Sequence, residues 1–493
     1  MVDNNLQKKI INATKWSSIT EIAAKLVTPF TNLILARLVA PEAFGVVATV
    51  TMIVSFADMF TDSGFQKYLI QHEFKNNEEK YKNANVAFWT NFIISIIIWY
   101  LIFEYRDQLA ILVGNPGLGN VIAIACIQLP LTSFSSIQMA LFRRDFDFKT
   151  LFLVRLIAIF IPLLLTVPLA FMGFSYWSII IGTITMQLSN AIILTIKSNW
   201  KPNLFYNFRL LKEMLSFSIW SLIEAISIWL TTWIDTFIIG KLLSQHQVGL
   251  YKTSTTTVNS IMSIVTSSIV PVLFSALSRL QGDKAKFNNL YFKFQRIVSI
   301  LVFPLGVGVF LFSDLTTTLL LGDKWSEASS VIGVWALTSS IMIVFGHFSS
   351  EVYRAKGRPK LSFFAQLLHL IVLVPTIIIA GQYGFLALVY ARSWIRLQFV
   401  LVHITIMKTV IGIPIMKTFN NVSPTLISAV AMGIFGYFLK LLNEGIIWSL
   451  FSILLCIVFY FCTLFLFPNL RKDIIYICER VVPKRIYTKI LRK

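Results

Sequence analysis

Charge is scarce in this chain of 493 residues. Asp, Glu, Lys and Arg together make up 13% of it and 56% is hydrophobic, whereas a soluble domain carries about 25% charge. That excludes a soluble globular protein. Cysteine is scarce as well: Cys126, Cys456, Cys462 and Cys478 show no CxxC spacing and no clustered histidines, so neither a disulfide framework nor a zinc site is expected. No GxxxxGK[ST] loop is present to cradle ATP phosphates. The N-terminus lacks a short apolar region followed by a small-residue cleavage site, so no removable signal peptide is expected. No metal and no cofactor are expected. Acid is the rarer sign of charge, 23 Asp and Glu against 43 Lys and Arg for a formal +20. In a soluble chain that excess would suggest nucleic acid; here membrane topology explains it better.

What the chain has in quantity is apolar runs long enough for a bilayer, which needs about 20 residues. Fourteen candidates fall at 15–38, 44–70, 84–104, 118–141, 150–171, 174–196, 214–240, 247–278, 292–313, 328–352, 361–380, 384–407, 423–441 and 446–467. The alternation of charge tests them, because positive residues stay in the cytoplasm. One side takes Lys8, Lys9 and Lys15, then Lys75, Lys80 and Lys82, then Arg143, Arg144 and Lys149, then Lys197, Lys201, Arg209 and Lys212. It continues with Arg279, Lys284, Lys286, Lys293 and Arg296, with Arg354, Lys356, Arg358 and Lys360, with Lys408 and Lys417, and with the basic tail. The other side has only Arg37, Arg106, Lys241, Lys324 and Lys440. A miscounted span would scramble this pattern. The fold class is therefore an all-α polytopic membrane protein of about 14 transmembrane helices with both termini cytoplasmic. The tail from Asn469 alternates basic residues with Ile474, Ile477 and Val481, which suits either an anionic membrane surface or plain solvation.

The chain also repeats itself. A shift of 204 residues sets Trp220, Ser221 and Ile223 on Trp16, Ser17 and Ile19, and Lys241, Leu242 and Gly249 on Arg37, Leu38 and Gly45. The shift covers six spans, an even number, so the copies share one orientation across the membrane. This gives an N-lobe over 1–212, a C-lobe over 213–408, two extra helices over 409–468 and a cytoplasmic tail over 469–493. No loop is long enough for a folded domain, so function must lie among the helices.

Ionisable groups inside a bilayer are costly and normally face a bundle interior or a watery cavity. Glu21 and Lys25 share a face of span 1, as do Asp58 and Asp62 of span 2, Glu224 and Asp235 of span 7, and Arg392, Arg396 and His403 of span 12. Lys252 lies with Thr256, Asn259 and Ser263 on span 8, and Arg155 lies within span 5. Lys25, Arg155, Lys252, Arg392 and Arg396 are the candidate substrate-binding cations, and the substrate should be anionic. Glu21, Asp58, Asp62, Glu224 and Asp235 are the candidate coupling or cavity acids. Structural readings stand beside these: Lys25 and Glu21 make an i,i+4 pair, Asp58 and Asp62 suit an interfacial cap, and Asp235 suits a partner on a neighbouring helix. His347 with Glu351, and His369, read as satisfied packing residues or as proton carriers. Arg392 and Arg396 have no acid within four residues, so they call for a partner elsewhere or an anionic ligand.

The stretch LARLVAPEAFGVVATVTMIVSFADMFTDSGFQKYLIQ, its counterpart DTFIIGKLLSQHQVGLYKTSTTTVNSIMSIVTSSIVPVLFSALSRLQGD and the segment RAKGRPKLS resemble a known family. They are similar to the Wzx-type, colanic-acid-exporter-like polysaccharide flippases of the multidrug/oligosaccharidyl-lipid/polysaccharide exporter superfamily. The resemblance covers spans 1 to 12. It implies translocation of undecaprenyl-diphosphate-linked oligosaccharide across the bacterial cytoplasmic membrane, for O-antigen, capsule or exopolysaccharide. It implies basic residues holding the diphosphate, two extra helices forming a lipid groove, H+ or Na+ or the membrane potential as drive, and contact with polysaccharide polymerase machinery. A transporter, not an enzyme, is expected, with no nucleic-acid partner. A multidrug exporter of the same superfamily would show an acidic cavity. A lipid II exporter shares the diphosphate, and a membrane glycan polymerase or glycosyltransferase would carry a sizeable outer loop.

Overall fold

The computed structural model describes residue 16 and residues 27–62, 65–358, 360–443, 445–468 and 470–471. Among the described residues there is no β-strand. The chain runs through α1 (27–38), α2 (Pro41–Asp62), α3 (Phe65–Gln71), α4 (Asn77–Glu104), α5 (Gly119–Arg144), α6 (Phe148–Phe171) and α7 (Tyr176–Lys197). There follow α8 (Phe208–Leu242), α9 (Gln245–Arg279), α10 (Lys284–Leu311), α11 (Ala328–Ala355), α12 (Lys360–Gln382), α13 (Phe385–Ile411), α14 (Ile415–Leu442) and α15 (Ile446–Phe465).

Among the described residues, 12 helices are long and apolar enough to cross a membrane. The expected fourteen are thus not all met. Most of the first span, with Glu21 and Lys25, lies outside the described residues. The eighth corresponds to α9, a helix of 35 residues, several of whose side chains lie outside the described residues. Along it Ser260 Oγ donates to the Thr256 carbonyl at 2.8 Å and Ser263 Oγ to that of Ser260 at 2.7 Å, so these two hydroxyls are satisfied within the helix.

Helix starts on the side expected to be cytoplasmic are capped in one way. The side chains of Asn76, Asp147, Asn207 and Asp283 accept from the backbone N–H groups of Glu79, Thr150, Arg209 and Lys286. A short carboxylate or amide oxygen there satisfies donors that the first helical turn leaves open. Asn85 fixes the same side of α4, accepting from Trp200 Nε1 at 3.1 Å and from the Asn203 backbone at 3.0 Å.

Among the described residues the chain divides into two compact units, the first drawn from positions 1–253 and 377–388, the second from 254–376 and 389–493. In the first unit α2 packs on α8 and α5 on α4 and α7. Small residues permit the closest approaches. A Cβ on Gly45 would stand 2.0 Å from the Gln245 carbonyl oxygen, and one on Gly249 would stand 1.8 Å from that of Pro41. In the second unit α10 packs on α11 and α14, and α14 on α15. Gly306 of α10 meets Ser340 of α11 so closely that a Cβ would lie 2.5 Å from the serine Cβ. Tyr460 of α15 donates to the Ile300 carbonyl at 2.9 Å. Beside that bond lies an apolar cavity of about 370 Å³, lined by Leu301, Pro304, Gly308, Met432, Ile457 and Phe461 among others.

Candidate substrate-binding site

In the second unit two arginines share one aromatic platform. α13 is interrupted at Ile395, where a turn separates Phe385–Trp394 from Arg396–Ile406. Arg392 ends the first segment and Arg396 begins the second. Their guanidinium carbons lie 5.3 Å and 4.2 Å from the centre of the Trp335 ring on α11. A cation over an indole face is attracted by the ring quadrupole, most strongly where water is excluded. Water is largely excluded here: Arg392 is 8% exposed and Trp335 5%.

The platform is itself held in place. Trp335 Nε1 donates to Asn259 Oδ1 of α9 at 3.2 Å, which fixes the ring plane. One turn along α11, Ser339 Oγ accepts from Arg396 Nη1 at 2.8 Å. Next to the arginines, Gln398 Oε1 meets His369 Nδ1 of α12 at 2.9 Å, and Phe399 lies between His369 and His403, with ring centres 4.5 Å and 4.4 Å away. Tyr353 OH meets His403 Nδ1 at 3.2 Å. Glu351 pairs with Arg354. A guanidinium presents its donors as a planar fork that fits phosphate and carboxylate oxygens. Two such forks, oriented by one ring and spaced one helical turn apart, suit a dianion with several oxygens, of which a diphosphate is one.

The first unit holds a second cation on an indole. Lys252 Nζ of α9 lies 3.7 Å from the centre of the Trp233 ring of α8. One turn earlier on α8, Trp229 Nε1 donates to Ser55 Oγ of α2 at 3.0 Å and its ring packs on Phe56 at 4.8 Å. Asp235 is buried and accepts from Tyr251 OH at 2.7 Å and from the Thr236 backbone at 2.7 Å, so it serves packing between α8 and α9. Asp58 accepts from Thr132 Oγ1 at 3.1 Å. Arg155 is exposed on α6.

The structure thus brings together Arg392 and Arg396, and leaves Lys252 and Arg155 in the other unit. Lys25 and Glu21 lie outside the described residues, as do the side chains of Asp62 and Glu224. Trp335 and Ser339 were not singled out from sequence. They share one helix face, four residues apart, but Thr338 and Ser340 stand beside Ser339 and nothing in the sequence alone separates it from them. Ser55 and Asn259, separated by the repeat interval, each accept an indole N–H.

An all-helical membrane protein with a cationic site on one of its spans is the class these features define. Residues 34–330, more than half of the chain, match the family model described as polysaccharide biosynthesis protein, and the chain belongs to that family. It is 22% identical over 384 residues to the lipopolysaccharide biosynthesis protein WzxC of Escherichia coli K12, covering 77% of this chain and 76% of that one. It is 22% identical over 335 residues to the succinoglycan biosynthesis transport protein ExoT of Rhizobium meliloti 1021, covering 68% and 67%. In fold it is similar to the inward closed conformation of the lipid II flippase MurJ, with a TM-score of 0.75 at 17% identity over 93% of this chain and 99% of that one.

Proposed function

We propose that this protein is a flippase that carries undecaprenyl-diphosphate-linked oligosaccharide across the bacterial cytoplasmic membrane for surface polysaccharide assembly. The observation that carries the reading is the pair Arg392 and Arg396 over Trp335, an intramembrane site shaped for an anion with several oxygens. The family and the names of WzxC and ExoT support polysaccharide as the cargo class.

In this mechanism the diphosphate enters from the inner leaflet and exchanges its hydration for the two guanidinium forks. The sugars lie along the polar helix faces and the prenyl tail stays apolar, with the cavity between α10, α14 and α15 available to it. The lobes 1–212 and 213–408 alternate the exposure of the site between the two leaflets, driven by an H+ or Na+ gradient or by the membrane potential. Product is handed on the outer side to polymerase machinery. No bond is made or broken, so the protein needs binding groups and movement but no catalytic group.

Replacing Arg392 and Arg396 with Ala tests the assignment. The expected outcome is loss of surface glycan at normal protein level, with lipid-linked oligosaccharide accumulating inside. Unaltered surface glycan overturns the site, and accumulation of lipid II instead would assign the cargo to cell-wall precursor.

A further inference from the structure

The turns that open α2 and α9 meet each other in the first unit, and they are the same turn of the repeat. Pro41, Glu42 and Gly45 stand 204 residues before Gln245, His246 and Gly249. Their contacts are reciprocal. Gly45 lies against the Gln245 carbonyl and Gly249 against the Pro41 carbonyl, so closely that any Cβ would collide. Between them Glu42 Oε1 and His246 Nδ1 lie 2.7 Å apart. A third backbone contact closes the group: a Cβ on Gly114 would stand 1.6 Å from the Gly240 carbonyl oxygen, and Gln245 Nε2 donates to the Gly114 carbonyl at 3.3 Å.

We infer that Glu42 and His246 form a proton-binding site that latches this end of the protein shut. The inference rests on the reading of the chain as an alternating-access flippase, in which the end carrying Arg37 and Lys241 faces outward. The glycines supply the shape of the closed state. The pair supplies its response to pH, because histidine takes up a proton between about pH 5 and 8 and only then attracts a carboxylate as an ion. The other charged groups on the elements packed around the pair are Arg37 on α1, Lys241 on α8, and Arg106 and Asp107 in the segment between α4 and α5. Arg106 is engaged by Asn120 Oδ1 at 3.0 Å. The side chains of Glu42 and His246 are 56% and 30% exposed. The protonated pair therefore shifts the closed-to-open ratio by about two- to five-fold, the range of an exposed ion pair. Acid outside favours closure, and a rise in pH releases it.

Spin labels at Ala40→Cys and Leu243→Cys, with the native cysteines replaced by Ala, report the separation of the two turns in purified full-length protein in nanodiscs. Pulsed EPR should show the separated population rising about two- to five-fold between pH 5.5 and 8. His246→Gln and Glu42→Gln should each remove that dependence. The two positions are related by the repeat, so the exchange Glu42→His with His246→Glu should restore it. A flat profile in the parent, an unchanged profile in either Gln variant, or a flat profile in the exchanged pair overturns the latch. The readout needs no substrate: surface glycan left unaltered by deletion of the gene, with the pH response intact, would overturn the flippase reading alone.

Discussion

Trp335 is the residue on which the proposed anion site turns. Its ring orients both guanidiniums, and Asn259 orients the ring. Trp335→Ala removes the platform and leaves two arginines in a space too apolar for them, so export should fall nearly as far as with the arginines replaced. Trp335→Phe keeps a ring but loses the N–H. It should retain part of the activity, and Asn259→Leu should resemble it, since both lose the same hydrogen bond, worth about 1 kcal/mol. Arg396→Lys keeps the charge but loses the fork and should behave like Arg396→Ala. Glycan export measured at matched protein level separates these outcomes. The sequence reading reached the two arginines through their spacing and their want of a nearby acid. It could not reach Trp335, because which residues of α11 face α13 is decided by packing between helices far apart in the chain.

At the scale of elements, the apolar runs expected from 84, 150, 214 and 292 belong to helices that begin earlier, at Asn77, Phe148, Phe208 and Lys284, because polar first turns and caps carry no hydropathy signal. Four Asn or Asp side chains cap helix starts on one side, a local interaction among residues two or three apart. On the other side α14 is tied to the segment after α10 through Lys440 Nζ and Asp314 Oδ2 at 3.0 Å. Burial pushes the Asp314 carboxyl up, but the Lys440 hydrogen bond and charge, with a hydrogen bond from Ser329, outweigh it and hold the group below the ordinary carboxylate range. A depressed carboxylate stabilises the fold above the unfolded-state value near pH 4 and loses that contribution as pH falls through its own lower value. Both side chains are substantially exposed, so the contribution is a few tenths of a kcal/mol. Lys440→Ala should lower the thermal midpoint slightly at pH 7 and match the parent once the pH is below the lowered Asp314 value. α9 was legible in the sequence as the apolar run 247–278, and the alternation of Lys and Arg in the loops requires a span there.

For the whole molecule, the distribution of basic residues predicts which ends face the cytoplasm. Single cysteines in the loop after α4 and in the loop after α12 should react with a membrane-impermeant thiol reagent applied to intact cells, whereas cysteines after α5 and after α11 should react only once the membrane is opened. Labelling of the second set in intact cells would reverse the assigned orientation. The repeat was legible from Trp, Ser, Gly and basic positions at one offset, and contacts between its copies were not, since an offset states similarity and says nothing of touching. The reciprocal approach of Gly45 and Gly249 is the geometry of an isologous interface, in which each partner offers the other the same surface. Two identical chains meeting in this way would set residue 42 of one against residue 42 of the other on or near the axis, acid against acid or imidazole against imidazole. Fusion of the copies into one chain lifts that constraint. Only a duplicated gene can place a glutamate on one side of such an axis and a histidine on the other.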